Sequence, residues 1–526
     1  MMEVGTRSNQ RTIKENERQA DRPGLRTSLR STWQSVWPLL AVGLVLRLLF
    51  LAFGAEIYYS SRQSDIYSNG DSYSYVLSFH NLLEHGRYTF DLTEPEAAVG
   101  RLPGYPFFYG AHFLVFGQQK VLFATACTQV LLDTLGIWLI YVITARLSSP
   151  TSWAPFLAAL LLTLYPFSIV WVTITGTETL GLFLVLLWWA ALLLMRPRAL
   201  NWVLLGVLLA VILYVREFLG VCVAVTMLYL LIGSDKKDLR TIAHPIVLVL
   251  AGFLSLYIWW PVRNYMVLGR LIPLKPAAAG YANLQEDAQT ALAWMLTWTN
   301  DVTMGFDEIM FAEKPSFPEH VINTPAEKQL IDSLVTLSRT CASSFHVRML
   351  LLRGSTSETD ASAGAGFNHY QKAQQVNTLR HHNCNDVVSA GFNRLRASYI
   401  HRHPIRARVE VPLLNFQKIL FKSQFKPISG EKITRAQQLT SVLFMWRSVL
   451  LALGFIGAWR YRKLPGLWPA LMFAAVIFGY MAIVFRTMEM RYLLQADVFM
   501  LVPAALLLAS WVPQRWAKSV RSVATA

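Results

Sequence analysis

The sequence predicts an all-α polytopic membrane protein of about ten transmembrane helices, with a mainly helical extracytoplasmic loop region. Two observations carry this. Of 526 residues, 54% are hydrophobic and only 15% charged, against roughly 25% charged in a typical soluble chain. The stretch Leu147–Ser234 then holds only five charges, Glu178, Arg196, Arg198, Arg216 and Glu217. No water-facing surface can be built from that composition.

A bilayer-spanning helix needs about twenty apolar residues. Runs of that kind fall at 34–55, 120–145, 153–173, 176–195, 201–215, 218–233, 243–262, 441–459, 466–486 and 492–512. The fifth and sixth are shortest; kept as a hairpin, they leave every short inner connection basic. Those connections carry Arg146, then Arg196 and Arg198, then Lys236, Lys237 and Arg240, then Arg460, Arg462 and Lys463. Positive residues inside put both chain ends in the cytoplasm. The formal charge of +16 follows from this bias, so the lipid bilayer is the expected partner and no nucleic acid is needed. A polar stretch of about thirty residues precedes the first apolar run, which is too long for a cleavable signal's core.

The expected organisation is therefore a basic cytoplasmic segment 1–33, a transmembrane region 34–262 containing a first outer loop 56–119, a large extracytoplasmic segment 263–440, transmembrane helices 441–512 and a cytoplasmic tail 513–526. Within the first loop, Tyr73, Val76, Leu77, His80 and Leu83 keep helical spacing after Asp71 and stop at Gly86. In the large segment, Thr324-Pro325-Ala326-Glu327 reads as a capping box with proline at the first helical position. Leu330, Ile331, Leu334 and Leu337 follow as one apolar face. Ile405, Val409, Leu413, Phe416 and Leu420 beside Lys418, Lys422 and Lys426 read as a helix on the membrane surface, kinked by Pro412. This segment is electrically split. Residues 283–360 carry 5 basic and 11 acidic groups, and residues 361–440 carry 12 and 3. A solvated surface explains the split; so does a basic wall near an anionic lipid-linked substrate.

Asp71 opens a helix just outside the membrane. An N-cap accounts for it; so does a general base, a carboxylate that takes a proton from an incoming hydroxyl. Arg101 stands in a stiff Arg101-Leu102-Pro103-Gly104-Tyr105-Pro106 turn. Arg216, Arg263, Arg486 and Arg491 also lie at outer helix ends, against the positive-inside trend. Pairing with Glu217, Glu489 or lipid phosphate is one reason for them. Convergence on a phosphate-bearing substrate is the other, since guanidinium binds phosphate bidentately. Arg47, Asp133, Arg447 and Asp497 lie well inside spans, scattered over four helices. They keep open an alternative, a transporter or flippase of a lipid-linked saccharide.

Several dispersed motifs resemble the GT-C superfamily of polyprenyl-phosphate-sugar glycosyltransferases, and within it the protein mannosyltransferase and aminoarabinose transferase group, glycosyltransferase family 39. They are Gly70-Asp71 through Leu83-Glu84-His85-Gly86, the Arg101–Pro106 turn, Tyr165-Pro166 with Thr177-Glu178-Thr179-Leu180, Trp260-Pro261-Val262-Arg263-Asn264-Tyr265 with Gly269 and Pro273, His403-Pro404, and Glu489-Met490-Arg491-Tyr492-Leu493-Leu494. Gln495 departs from the proline this last motif carries in the family. Residues 281–395 resemble nothing in it. The resemblance implies an enzyme that moves a sugar from a polyprenyl-phosphate carrier to an extracytoplasmic acceptor (lipid, glycan or protein) with inversion. Asp71 would be the catalytic base, with Arg101, Glu178, Arg263, Arg486 and Arg491 in substrate binding.

No cofactor is indicated, and a divalent metal is left open. The run His381-His382-Asn383-Cys384 matches no zinc spacing. Cys341 and Cys384 share the outer segment, where they form a disulfide or stay as thiols; Cys127 and Cys222 read as packing residues within spans. The absence of any Asn-x-Ser/Thr from the sequence fits a bacterial inner membrane.

Overall fold

The computed structural model describes residues 25–59, 65–69, 71–92, 95–150, 152–232, 239–275, 286–300, 315–340, 384–421, 435–485 and 490–512. Among these residues there is no strand. The protein is an all-α polytopic membrane protein: among the described residues seven helices are long and apolar enough to cross a bilayer, and three shorter apolar helices accompany them. In order these ten fall on the ten runs read from the sequence.

The bundle begins with α1 (Leu25–Leu49), which continues through a π turn at Phe50–Gly54 into Ala55–Tyr59. After the loop helix α2 (Ser72–His85) comes α3 (Gly104–Leu147). Then follow α4 (Ala154–Thr163), α5 (Thr177–Leu194), α6 (Ala199–Val215), α7 (Val221–Ile232), α8 (Leu239–Tyr257) and α9 (Trp259–Leu268).

Three expected boundaries move. Helix α3 starts at Gly104 rather than 120, inside what read as loop, because Gly117 takes φ 69° and divides it. A straight helix of that length would measure about 66 Å, twice the bilayer core. The break lets the first part lie apart from the span. Tyr105 and Tyr109 are buried there, while Leu114, Val115 and Phe116 are exposed. The third span, read as 153–173, ends as a helix at Thr163. Pro166 holds Tyr165 extended at φ −80°, ψ 103°. The seventh span runs on to Leu268, past the expected loop start at 263.

Beyond α9, three helices gather around an apolar core of their own: α10 (Glu286–Trp298), α11 (Pro325–Thr340) and α12 (Cys384–Arg402). Trp294, Ile331, Leu334, Phe392 and Tyr399 fill that core. The start of α11 is capped as expected: Glu327 N donates to Thr324 Oγ1 at 3.2 Å, while the Glu327 carboxylate accepts from Asn323 N at 3.0 Å. Cys384 is disulfide-bonded and Cys127 and Cys222 are free thiols; Cys341 lies outside the described residues. So do His381 and His382. A π turn at Arg406–Glu410 leads into α13 (Val411–Phe421). The distortion expected at Pro412 therefore falls in the turn before it, where the proline ring displaces the preceding backbone. The chain closes with α14 (Arg435–Arg460), α15 (Trp468–Tyr480) and α16 (Met490–Trp511).

Helix α16 is buried over nearly its whole length and forms the axis of the bundle. From Val498 to Leu507 it is apolar on every side, as a helix enclosed by others must be. Phe499 packs against Trp188, Trp189 and Phe473. The two indole N–H groups are satisfied: Trp188 donates to Thr226 Oγ1 at 2.8 Å and Trp189 to the Gly466 carbonyl at 3.0 Å. The four intramembrane charges are not scattered. Arg47 pairs with Asp133 at 2.5 Å and Arg447 with Asp497 at 2.6 Å, all fully buried. Ser168 donates to Asp133 and Tyr165 to Asp497, so both pairs fasten the break after α4. Closed pairs of this kind are helix clamps, which removes the observation that sustained a transport reading.

Helices α6 and α8 touch backbone to backbone. A Cβ added at Gly206 would strike the Val249 carbonyl, and one at Gly252 would strike the Val203 carbonyl. Small residues permit such crossings in a membrane. Gly206→Val is expected to cost about 1–3 kcal/mol or more, read as a lowered thermal midpoint of the detergent-purified protein.

Candidate active site

The ends of α2, α3, α5, α6, α9 and α16 meet at one end of the bundle, here called the loop end. Asp71 stands immediately before α2, yet its side chain does not cap that helix. Asn69 does the local work instead: its Oδ1 accepts from Asp71 N at 2.9 Å and Ser72 N at 3.2 Å. This leaves the Asp71 carboxylate for other partners. Arg101 Nη2 donates to its Oδ1 at 2.9 Å, and Arg491 Nη1 donates to its Oδ2. The Arg101–Pro106 turn thus brings one guanidinium to Asp71, and the first turn of α16 brings another.

Arg101 is itself held in place. Its Nε donates to Ser74 Oγ at 2.6 Å, and its guanidinium lies 4.5 Å from the Tyr75 ring centroid. A second ion pair stands beside the first: Arg216 Nη1 meets Glu178 Oε1 at 3.1 Å, both buried. Arg216 also donates to the Arg491 carbonyl at 3.3 Å and lies over the rings of Phe218 and Tyr492. The two pairs are thereby tied through the backbone of α16. Glu217, one of the partners left open for the outer arginines, takes Lys275 at 3.0 Å. Lys275 is close enough to act electrostatically on both Arg101 and Asp71. Arg101, Arg216, Arg491 and Lys275 thus gather with Asp71, Glu178 and Glu217, and buried Asp91 acts with Asp71 on the neighbouring Tyr73.

The electrostatics follow from this packing. Burial pushes the Asp71 carboxyl upward, but Arg101 and Arg491 outweigh it and hold the group well below the usual carboxylate range. Burial also pushes the Lys275 ammonium down, only partly offset by Glu217. Tyr75, half-buried between the two ion pairs, has its phenol pushed up to about 12 by desolvation and stays neutral.

Of the residues singled out in the sequence, Asp71, Arg101, Glu178 and Arg491 come together. Arg263 does not join their hydrogen-bond network. It donates to the backbone carbonyls of Ala98 and Tyr88, each at 2.6 Å, and so ties the first loop to α9. Arg486 and Glu489 lie outside the described residues. Sequence reasoning overlooked Ser74, Tyr75 and Lys275. The first two sit one helical turn after Asp71, a spacing that could have flagged them; nothing in the sequence marks Lys275. Among the described residues, no three His, Cys, Asp or Glu side chains gather as metal ligands.

Fold and site together define a polytopic helical membrane protein with a carboxylate–arginine site at one end of its bundle. Residues 99–264 match the family model described as dolichyl-phosphate-mannose-protein mannosyltransferase, in the group to which the dispersed motifs point. That segment contains Arg101, Glu178, Arg216 and Arg263, while Asp71 and Arg491 flank it. The chain is also similar to the apo oligosaccharyltransferase of Archaeoglobus fulgidus, at 13% identity and TM-score 0.46, over 90% of this chain and 50% of that one. A further similar structure is ArnT from Cupriavidus metallidurans bound to undecaprenyl phosphate, at 12% identity and TM-score 0.32, over 87% and 77%. The chain thus spans about half the length of the oligosaccharyltransferase. No curated protein matches it.

Proposed function

We propose that this chain is an integral membrane glycosyltransferase. It moves a sugar from a polyprenyl-phosphate carrier to an acceptor on the extracytoplasmic side, which we assign to the loop end, and in a bacterial cell it would sit in the inner membrane. One observation carries the reading: a single carboxylate held between arginines from separate parts of the chain, with Arg216 and Lys275 beside it. The mannosyltransferase match over residues 99–264 supports the same class.

The chemistry follows from the leaving group. A carrier phosphate departs as an anion without protonation, so one carboxylate suffices where glycosidases use two. Asp71 takes the proton of the acceptor hydroxyl, whose oxygen attacks the anomeric carbon. The bond from that carbon to the phosphate oxygen breaks with its electron pair, and the configuration inverts. Arg101 and Arg491 stabilise the departing charge, helped by Lys275 and the field of Arg216. Glu178 holds Arg216 in place. Asp71 clamped by both arginines is a weak base. A phosphate that recruits the same guanidiniums releases Asp71 and raises its proton affinity only when the donor is bound.

This predicts a particular pH dependence. In the free protein the depressed Asp71 keeps its ion pairs above the ordinary carboxyl pKa of about 4 and loses them only as pH falls through the lower folded value. The acid limb of kcat/KM should therefore lie below about pH 4, while that of kcat, which reports the donor complex, lies higher. Superimposable acid limbs would remove the exchange.

The class itself is tested by incubating the purified protein with radiolabelled polyprenyl-phosphate sugars and acceptor extract. Transfer of label is the expected result. Movement of the carrier across proteoliposomes without transfer would overturn the proposal.

A further inference from the structure

A second cluster of unsatisfied donors lies away from the Asp71 network, where α12 passes into the π turn and α13. Arg402 gives Nη2 to both Glu327 oxygens at 2.9 Å, but its Nε and Nη1 are buried and bond nothing. Arg406 Nε and His320 Nε2 are likewise buried without a hydrogen-bond partner, and the buried Tyr399 hydroxyl has Arg406 as its hydrogen-bonding neighbour. Tyr399 is fully buried, and its ring lies 6.2 Å from His320 and 4.8 Å from His403 between centroids. Tyr399 lies within the field of Arg406 and Arg402, with the smaller opposing field of Glu410, and His320 within that of Arg406 and His403. Leaving so many polar groups unmade is costly. An anion with several acceptor oxygens would satisfy them together.

The carboxylates nearby do not fill that role. Glu327 is saturated by Arg402, by Ser398 Oγ at 2.6 Å and by Asn323 N. Glu410 meets Arg406 Nη1 only at 3.6 Å, an exposed pair one helical turn apart.

A second feature says which anion. Ile405, Val409, Leu413 and Phe416 begin next to Arg406 and run down α13 as exposed apolar side chains. At the far end of α13, Ile419 and Leu420 enter the bundle core, and the Ile419 carbonyl accepts from Arg447 at 2.6 Å. The stripe therefore descends from the donor cluster to the level of the spans. We propose that Arg402, Arg406, His320 and Tyr399 form a second phosphate site, for the headgroup of an anionic membrane lipid whose chain lies along Ile405, Val409, Leu413 and Phe416.

The site shares no residue with the Asp71 network and does not depend on the transferase reading. Its test is binding, measured by native mass spectrometry of the full detergent-purified chain titrated with phosphatidic acid, a lipid phosphate monoester. The wild type should retain one saturable lipid. Arg402→Gln/Arg406→Gln should weaken it at least about tenfold, through lost charge-assisted hydrogen bonds. Arg406→Gln alone breaks the long Glu410 contact and the contact with the Tyr399 hydroxyl, and Tyr399→Phe removes that hydroxyl alone. These two fold even where the double variant does not, and each should weaken binding by about threefold or more. Unchanged affinity in both single variants overturns the site. Displacement of the lipid by millimolar inorganic phosphate, equally well with and without the apolar stripe residue Leu413→Ser, overturns the lipid assignment in favour of a free anion.

Discussion

Asp71→Asn is expected to lower sugar transfer by about 10²–10⁴-fold, the usual worth of a positioned general base, while leaving carrier binding intact or tighter. The two halves of this result come from one geometry. Asparagine is nearly isosteric with aspartate, and Asn69, not Asp71, caps α2. The helix therefore has no reason to melt. What changes is the charge between Arg101 and Arg491, whose guanidiniums both donate to this carboxylate. Removing it leaves two cations at the loop end with one competitor fewer for a phosphate. Titration with the unglycosylated polyprenyl phosphate should show an equal or lower Kd, against a collapsed kcat in the transfer assay. Loss of binding and activity together would make Asp71 a positioning group for the arginines. Full activity would take the base away from it. An Arg491→Gln variant provides the counterpart: weaker carrier binding and, in the free protein, an Asp71 acid limb nearer the ordinary carboxyl value.

Why Asp71 was legible and its surroundings only partly so has a physical basis. The spans and α2 are written in local periodicity, so their spacing suffices to place them. The Asp71–Arg491 contact joins residues 420 positions apart, and no local pattern encodes such a meeting. The positive-inside bias supplied the missing hint, because an arginine at the wrong end of a helix needs a partner. Arg216 and Arg491 do have carboxylate partners, Glu178 and Asp71. The bias could not tell them from Arg263, which spends its donors on two backbone carbonyls. The helix breaks show a similar limit. Pro166 and Gly117 stand openly in the sequence, yet only their surroundings decide whether a span bends or ends there. At Tyr165 the answer is given by Asp497, a residue 332 positions away.

Arg447→Met should be the most destabilising single change in the bundle, costing about 3–5 kcal/mol, because it strands a carboxylate in a low-dielectric interior. Arg447 makes two short contacts with Asp497, at 2.6 and 2.8 Å, and closes the end of α13 through the Ile419 carbonyl. Without the guanidinium, Asp497 keeps only the Tyr165 hydroxyl and must either bury its charge or take up a proton. The reverse change, Asp497→Asn, leaves the arginine charge unmatched and should cost a similar amount. Replacing both as Arg447→Met/Asp497→Leu removes the charges together, and swapping a buried pair for packed apolar groups is often neutral. The double variant should therefore recover most of the thermal midpoint that either single variant loses. The Ile419 carbonyl and the Tyr165 hydroxyl remain short of a partner, so the recovery is incomplete. Additive losses instead would mean that the two charges do not act as one clamp. The same cycle separates stability from chemistry, since the pair contributes no hydrogen bond to the Asp71 network. A refolded double variant should transfer sugar at nearly the wild-type rate, as expected if these intramembrane charges hold helices and take no part in moving substrate.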